Sequence, residues 1–200
     1  MDGDEVMSAS TLDRRQAVKS LLQNRGELLV VTGLGSPSYD AFAAGDHDGN
    51  FYLWGAMGGA AMVGLGLALA QPKRPVLVLT GDGEQLMGTG NLLTVAVSKP
   101  GNLTIAVLDN GYYGETGMQR SHAGLGVRLD QIAKAAGFAD TAEITGLNGV
   151  ESYRPKLQDL SGPKFVRIAI SPNNPERALP ARDGTYLKTR FRTHLRLPVN

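Results

Sequence analysis

Cysteine is absent from the 200 residues of this chain, which excludes disulfides and thiolate metal sites and fits a reducing, cytoplasmic setting. No apolar run approaches the roughly 18–20 residues of a membrane-spanning helix. Neither sign of charge dominates. Twenty Lys and Arg face 19 Asp and Glu, for a formal net charge of +1, so no overall field calls for a nucleic-acid or membrane partner. The first residues, MDGDEVMSAS, lack the basic and apolar regions of a signal peptide, and residues 1–10 read as a mobile leader. Internal repeats and low-complexity tracts are missing too. What the chain has in quantity is glycine, 26 residues, and enough length for one compact domain with its own core.

The most informative stretch covers residues 75–118, PVLVLTGDGEQLMGTGNLLTVAVSKPGNLTIAVLDNGYYGETGM. An apolar run at 76–79 meets the turn Gly81-Asp82-Gly83. A helical pattern follows over about 84–97. A second apolar run at 103–108 ends in Asp109-Asn110-Gly111. In a parallel βαβ unit both turns fall at the C-terminal edge of the sheet, so Asp82 and Asn110 meet there although they lie far apart in the chain. A hard cation such as Mg²⁺ takes oxygen ligands, commonly one or two carboxylates plus phosphate oxygens. Asp82 offers a carboxylate, Asn110 an amide oxygen, and the Tyr112 carbonyl just beyond a third donor. The glycines admit close backbone approach, and a helix starting near Glu84 directs free N–H groups outward. These parts describe a cradle for Mg²⁺ and a diphosphate.

Around this unit, strands and helices alternate. A helix capped by Thr11 is predicted over 12–24, a buried strand over 27–32, and a glycine loop at 33–37 leading into a short helix over 38–44. The polar loop 45–51 holds His47, which reads as a solvated residue rather than a catalytic one. Residues 50–70, NFYLWGAMGGAAMVGLGLALA, run from aromatics into a Gly- and Ala-rich helix. Glycine inside a helix costs ~1 kcal/mol against alanine, so these glycines point to close backbone packing. The loop 111–123 is polar and lies just past a ligand-bearing turn, which makes it the expected substrate loop. Glu115, Gln119, Arg120 and His122 are its candidates. A solvated loop is the plain alternative for each of them. Further on come a helix over 127–138, a short edge strand over 143–145, a helix over 150–160 and a last strand over 163–170. The domain therefore spans 11–172 as a single doubly wound, mostly parallel α/β sheet with helices on both faces. Residues 173–200 form a basic arm, with Arg177, Arg182, Lys188, Arg190, Arg192 and Arg196 around Tyr186 and Phe191. Packing on a neighbouring subunit is the expected use of this arm, ahead of nucleic-acid binding.

The pairing of GDG with an Asn that ends a later apolar strand resembles the signature of thiamine-diphosphate (ThDP) enzymes. NFYLWGAMG, GLGLALA, GDG, LTIAVLDNG and YGETG together are similar to the split 2-oxo acid decarboxylases of the sulfopyruvate and phosphonopyruvate type. The likeness covers about 27–138. It implies the diphosphate-binding (PP) domain of the ThDP fold, with Asp82, Asn110 and the Tyr112 carbonyl on Mg²⁺. It also implies cofactor contacts from Gly35, Ser36, Ala56, Met57, Gly58, Gly81, Gly83, Glu84, Tyr113 and Gly114. Met57 stands where the family presents a bulky apolar residue beneath the bent cofactor. Catalytic roles fall to Met57, to Glu115 as a proton relay, and to His122, which (like Arg120) is a candidate partner for an anionic substrate.

The chain departs from the family pattern at three positions. Asp109 stands where a second Asn is frequent. Glu84 stands where Ser often follows GDG, so only its backbone N–H is expected to face the diphosphate. Glu115 stands where a small or apolar residue is common. The family's second domain supplies a glutamate to the cofactor's pyrimidine ring, and this chain has room for one domain. A separate pyrimidine-domain subunit is thus expected, in a hetero-oligomer. The implied reaction is non-oxidative decarboxylation of a small anionic 2-oxo acid to an aldehyde. Carboligation of the acetolactate-synthase kind, lyase chemistry, a non-catalytic or regulatory ThDP-binding subunit and a flavodoxin-like nucleotide module remain the alternatives.

Overall fold

The two apolar runs flanking the GDG turn lie side by side at the centre of a six-stranded sheet in which every pairing is parallel. The computed structural model describes residues 12–198. The predicted leader and the Thr11 cap lie outside the described residues.

In chain order, α1 (Arg14–Leu21) is capped by the Asp13 carboxylate, which accepts the Gln16 N–H at 2.9 Å. Strand β1 (Leu29–Thr32) leads into α2 (Ser36–Ala43). Strand β2 (Asn50–Tyr52) and helix α3 (Ala60–Ala70) follow. Strand β3 (Val76–Gly81) runs directly into α4 (Asp82–Met87), and α5 (Gly90–Ser98) returns the chain to β4 (Leu103–Asp109). A hairpin of β5 (Tyr112–Tyr113) and β6 (Gln119–Arg120) comes next. The chain continues through α6 (Leu129–Ala136), β7 (Asp140–Ile144), α7 (Leu147–Tyr153), β8 (Lys164–Ala169) and α8 (Gly184–His194).

The strand order is β2-β1-β3-β4-β8-β7. Side chains alternate across the sheet. Val30, Leu77, Leu79, Ala106 and Leu108 face α1, α2 and α7. Leu29, Val31, Val78, Ile105 and Val107 face α3, α5 and α6. Both faces are covered, so the central strands read as unbroken apolar runs. Each fully buried Leu, Ile or Val contributes ~1.5–3 kcal/mol. The chain leaves β1 toward one face and β3 toward the other. The crevice between them is therefore the switch point at which open α/β sheets bind ligands.

Four local features differ from the sequence-based expectation. The helix expected over 84–97 is two helices, separated at Gly88-Thr89-Gly90, and Asn91 Nδ2 crosses the break to donate to the Gly58 carbonyl at 2.6 Å. The polar loop at 45–51 ends in β2, an edge strand too short for a periodic signal. The loop at 111–123 carries the small hairpin. The C-terminal arm contains α8, which folds back on its own chain. Phe191 is buried against Phe51 of β2 with ring centroids 5.5 Å apart, and Trp54 Nε1 donates to the Ala181 carbonyl at 2.8 Å. Among the described residues, no helix is long and apolar enough to cross a membrane.

Candidate active site

Parallel register sets Gly81 of β3 beside Leu108 of β4. The residues that follow, Asp82 and Asp109-Asn110, therefore emerge at adjoining points on the same sheet edge. A cavity of about 140 Å³ opens there. Ser36, Met57, Gly81, Asp82, Gly83, Glu84, Asn110, Tyr112, Tyr113, Gly114 and Glu115 line it, along with Arg14. Gly35, Ala56 and Gly58 are not in its wall but shape the loops that form it. His122 lies outside it, on a wider neighbouring hollow of about 650 Å³ that shares Met57, Gly83, Tyr113 and Thr116. The smaller volume suits a diphosphate and a metal. A whole drug-sized ligand needs several hundred Å³.

Asp82 is 2 % exposed. Burial, and then the neighbouring Asp109, push its carboxyl up to about 6. The Ser121 hydroxyl donates to Oδ2 at 2.5 Å and favours the charged form. A carboxylate held in such a place needs a cation. Asn110 Oδ1 accepts the Tyr112 N–H at 2.9 Å, and an amide oxygen has a second lone pair for a metal. Among the described residues there is no cluster of three or more His, Cys, Asp or Glu that could hold a metal. The donor set here is instead one carboxylate, one amide oxygen and a nearby backbone carbonyl, which are hard oxygens of the kind Mg²⁺ takes. The residues fit a magnesium diphosphate.

Two glycines at and beside this wall leave space that other side chains fill. A Cβ on Gly83 would come within 2.6 Å of the Tyr113 ring, and one on Gly33 would sit 1.8 Å from Glu84 Oε2. The side chain of Glu84 is tied to the β1 loop. Its Oε2 accepts the Leu34 N–H at 2.9 Å and the Thr80 hydroxyl at 3.0 Å. Oε1 has no partner in hydrogen-bond geometry, although the Gly58 and Ala60 N–H groups face the carboxylate and favour its charged form. Burial outweighs these contacts and raises the pKa. The other departure, Asp109, is occupied structurally. Arg167 Nε on β8 donates to its Oδ2 at 2.5 Å, and Gly111 N–H to its Oδ1 at 2.9 Å.

Met57 stands on a kinked ledge. Gly55, Ala56 and Gly58 all have left-handed backbone, with φ of 90°, 52° and 87°. For Ala56 that conformation costs ~1–2 kcal/mol. The ledge leaves Met57 41 % exposed between the two cavities. In the hairpin, Glu115 pairs with Arg177 at 2.9 Å, while Gln119 Nε2 donates to the Thr116 carbonyl at 2.8 Å. Arg120 folds over the Tyr112 ring and donates to the Gly124 carbonyl. His47 stands away from both cavities, its Nδ1 accepting the Gly49 N–H at 2.9 Å. Ser121 and Arg14 were not foreseen. Ser121 lies in the expected substrate loop but has no spacing that pairs it with Asp82, and Arg14 is remote from both turns in sequence.

Residues 40–168 match the family described as thiamine pyrophosphate enzyme, C-terminal TPP binding domain. The chain is 35 % identical over 180 residues to the sulfopyruvate decarboxylase subunit beta of Methanothermobacter thermautotrophicus, covering 90 % of this chain and 94 % of that one. It is 39 % identical over 168 residues to the phosphonopyruvate decarboxylase of Streptomyces viridochromogenes, covering 84 % of this chain and 42 % of that one. It thus spans about two fifths of the length of such longer curated relatives. Benzoylformate decarboxylase from Polynucleobacter necessarius shares the fold, with a TM-score of 0.65 at 21 % identity over 84 % of this chain and 36 % of that one.

Proposed function

Since the chain belongs to the thiamine pyrophosphate enzymes, with the C-terminal TPP-binding domain of that family, we propose that it is the diphosphate-binding subunit of a cytoplasmic, two-chain decarboxylase. Its substrate is a small 2-oxo acid with an anionic tail, as in sulfopyruvate or phosphonopyruvate, and its product is the aldehyde. The observation that carries this reading is the convergence of Asp82, Asn110 and the Tyr112 segment on one cavity at the switch point of the sheet. A relative of matching length is named as a beta subunit, which supports a separate partner chain. That partner brings the pyrimidine-side glutamate.

Bound thiamine diphosphate supplies the electron sink that accepts the pair released as CO₂ departs. The chain's own part is to bind, orient and exclude. Asp82, Asn110 and the Tyr112 carbonyl would hold Mg²⁺ and, through it, the diphosphate. Gly81, Gly83 and Gly114 would let the backbone approach it, and the first turns of α2 and α4, which begin at this cavity, would favour its negative charge. Ser36 and Tyr113 would wall the phosphate end, and Met57 would support the cofactor. His122, exposed at the rim of the wider hollow, would pair with the anionic group of the substrate. Glu115, paired with Arg177 at the edge of the narrower cavity, would relay a proton at its carboxylate once that pair opens.

The test is to express the chain with its partner and measure CO₂ and aldehyde from sulfopyruvate, phosphonopyruvate and pyruvate with ThDP and Mg²⁺. Turnover should need both cofactors, and ligated products should be absent. Asp82→Ala should abolish ThDP-dependent thermal stabilisation and turnover together. ThDP at about 100 times its Kd raises stability by ~2.7 kcal/mol in the intact protein. Full activity in Asp82→Ala, or stabilisation by FMN or NAD in place of ThDP, would end this reading.

A further inference from the structure

Arg14 is 4 % exposed yet lines the cofactor cavity. Its Nη1 donates to Ser36 Oγ at 2.7 Å, at the first residue of α2. Its Nε stands 3.1 Å from Asp40 Oδ2, but off the hydrogen-bonding direction, so Nε and Oδ2 both lack a hydrogen-bond partner. Arg15 also approaches Asp40, at 3.4 Å. Two guanidinium groups therefore share one carboxylate, and the more deeply buried of them is under-satisfied. Buried cations are costly unless paired and hydrogen-bonded. Arg14, Ser36, Gly114 and Glu115 also form the partition to a second small cavity of about 120 Å³. Glu115, itself part of this partition, is paired with Arg177.

The charge balance points the same way. A divalent ion shared with the Asp82 carboxylate does not neutralise a whole diphosphate, and the rest of its charge needs a cation inside the crevice. Arg14 is the cationic side chain in the wall of this cavity. A guanidinium presents a planar fork of donors that matches tetrahedral oxyanions. Helix α2 begins at the same point, at Gly35 and without a side-chain cap, which adds the favourable end of its dipole.

We propose that Arg14 and Ser36 form a subsite for a terminal tetrahedral oxyanion, distinct from the metal ligands. The oxyanion is either the outer phosphate of the diphosphate or the phosphonate or sulfonate end of the substrate. This deepens the ThDP reading and rests on it for the identity of the ligand.

The experiment uses calorimetric titration of the chain assembled with its partner, wild type, Arg14→Gln, Arg14→Lys and Ser36→Ala, with Mg²⁺-pyrophosphate, Mg²⁺-ThDP and methylphosphonate. Ligand-free melting is followed in parallel, and the milder Lys and Ala variants cover any failure of Arg14→Gln to fold. Loss of a charge-assisted contact should weaken binding by about tenfold or more in Arg14→Gln, less in Ser36→Ala, with partial retention in Arg14→Lys. Weakened pyrophosphate and ThDP binding assigns the subsite to the cofactor. Weakened methylphosphonate binding with ThDP unchanged assigns it to the substrate. Wild-type affinity for all three probes in folded variants overturns the subsite and leaves the ThDP reading standing. Arg14-dependent binding of pyrophosphate without binding of ThDP does the reverse. A wild type that binds none of the probes overturns both.

Discussion

Asp82 carries the site, and Ser121 holds it in place. The hydroxyl reaches Asp82 Oδ2 from the far side of the hairpin, both groups being buried. It fixes the carboxylate's rotation before any cation arrives. Partners of metal ligands typically alter metal affinity by 10–100-fold when removed. Ser121→Ala should therefore weaken Mg²⁺-dependent ThDP binding by about tenfold with little change in ligand-free melting. Titrating Mg²⁺ at saturating ThDP checks this, and unchanged affinity would show that the carboxylate is held by its backbone alone. At this scale the sequence was informative only where chemistry and spacing coincide. Asp82 and Asn110 could be paired because each ends a recognisable strand. Ser121 and Arg14 could not, because their partners are brought to them by the tertiary fold. Glu84 was expected to turn away from the diphosphate. Its link to Leu34 depends on a glycine in a different loop, which no local pattern reveals.

The elements were legible in proportion to their periodicity. Strands β3 and β4, buried on both faces, stood out as apolar runs. Strand β2 is three residues long behind a polar loop, and the break between α4 and α5 lay hidden in an otherwise helical pattern, although Gly88 and Gly90 marked it. Helix α8 is the instructive omission. Leu187, Phe191 and Leu195 recur every four residues, the spacing of a helix face, but the surrounding Arg and Lys dominate the local pattern. Two of the three are buried, and Arg190 anchors the helix by donating to Asp46 Oδ2 at 2.6 Å and to the Asn50 carbonyl at 3.1 Å. The arm thus covers the edge of its own sheet at β2. Phe191→Ala should cost about 3 kcal/mol, the lower end for a buried Phe because this cavity can partly collapse. Urea unfolding measures it, and a loss below about 1 kcal/mol would mean that α8 is not part of the cooperative unit.

For the molecule as a whole, buried acids make stability depend on pH. Asp40 is fully buried between α1 and α2, and burial pushes its carboxyl up to about 6 despite Arg14 and Arg15. The folded chain keeps this proton in a range where the unfolded chain has released it. The Asp40 contribution to stability is therefore greatest below about pH 4. It falls as the pH rises toward 6 and is flat above that, a loss of at most about 3 kcal/mol. Asp46 and Asp130, held below the usual range despite burial by contacts with Arg190 and Arg128 respectively, act in the opposite direction. The clean measurement is the difference in unfolding free energy between wild type and Asp40→Asn from pH 4 to 6. Wild-type stability minus that of the variant should fall with rising pH, and a constant difference would mean that Asp40 does not titrate in this range.

Glu84 and Gly33 have one more implication. The carboxylate fills the space that any side chain at 33 would occupy, so these two positions cannot drift independently over evolutionary time. A lineage that gains bulk at 33 must first shorten 84, and a lineage that lengthens 84 must already have emptied 33. Homologues with a side chain at the first position are therefore expected to carry a small residue at the second.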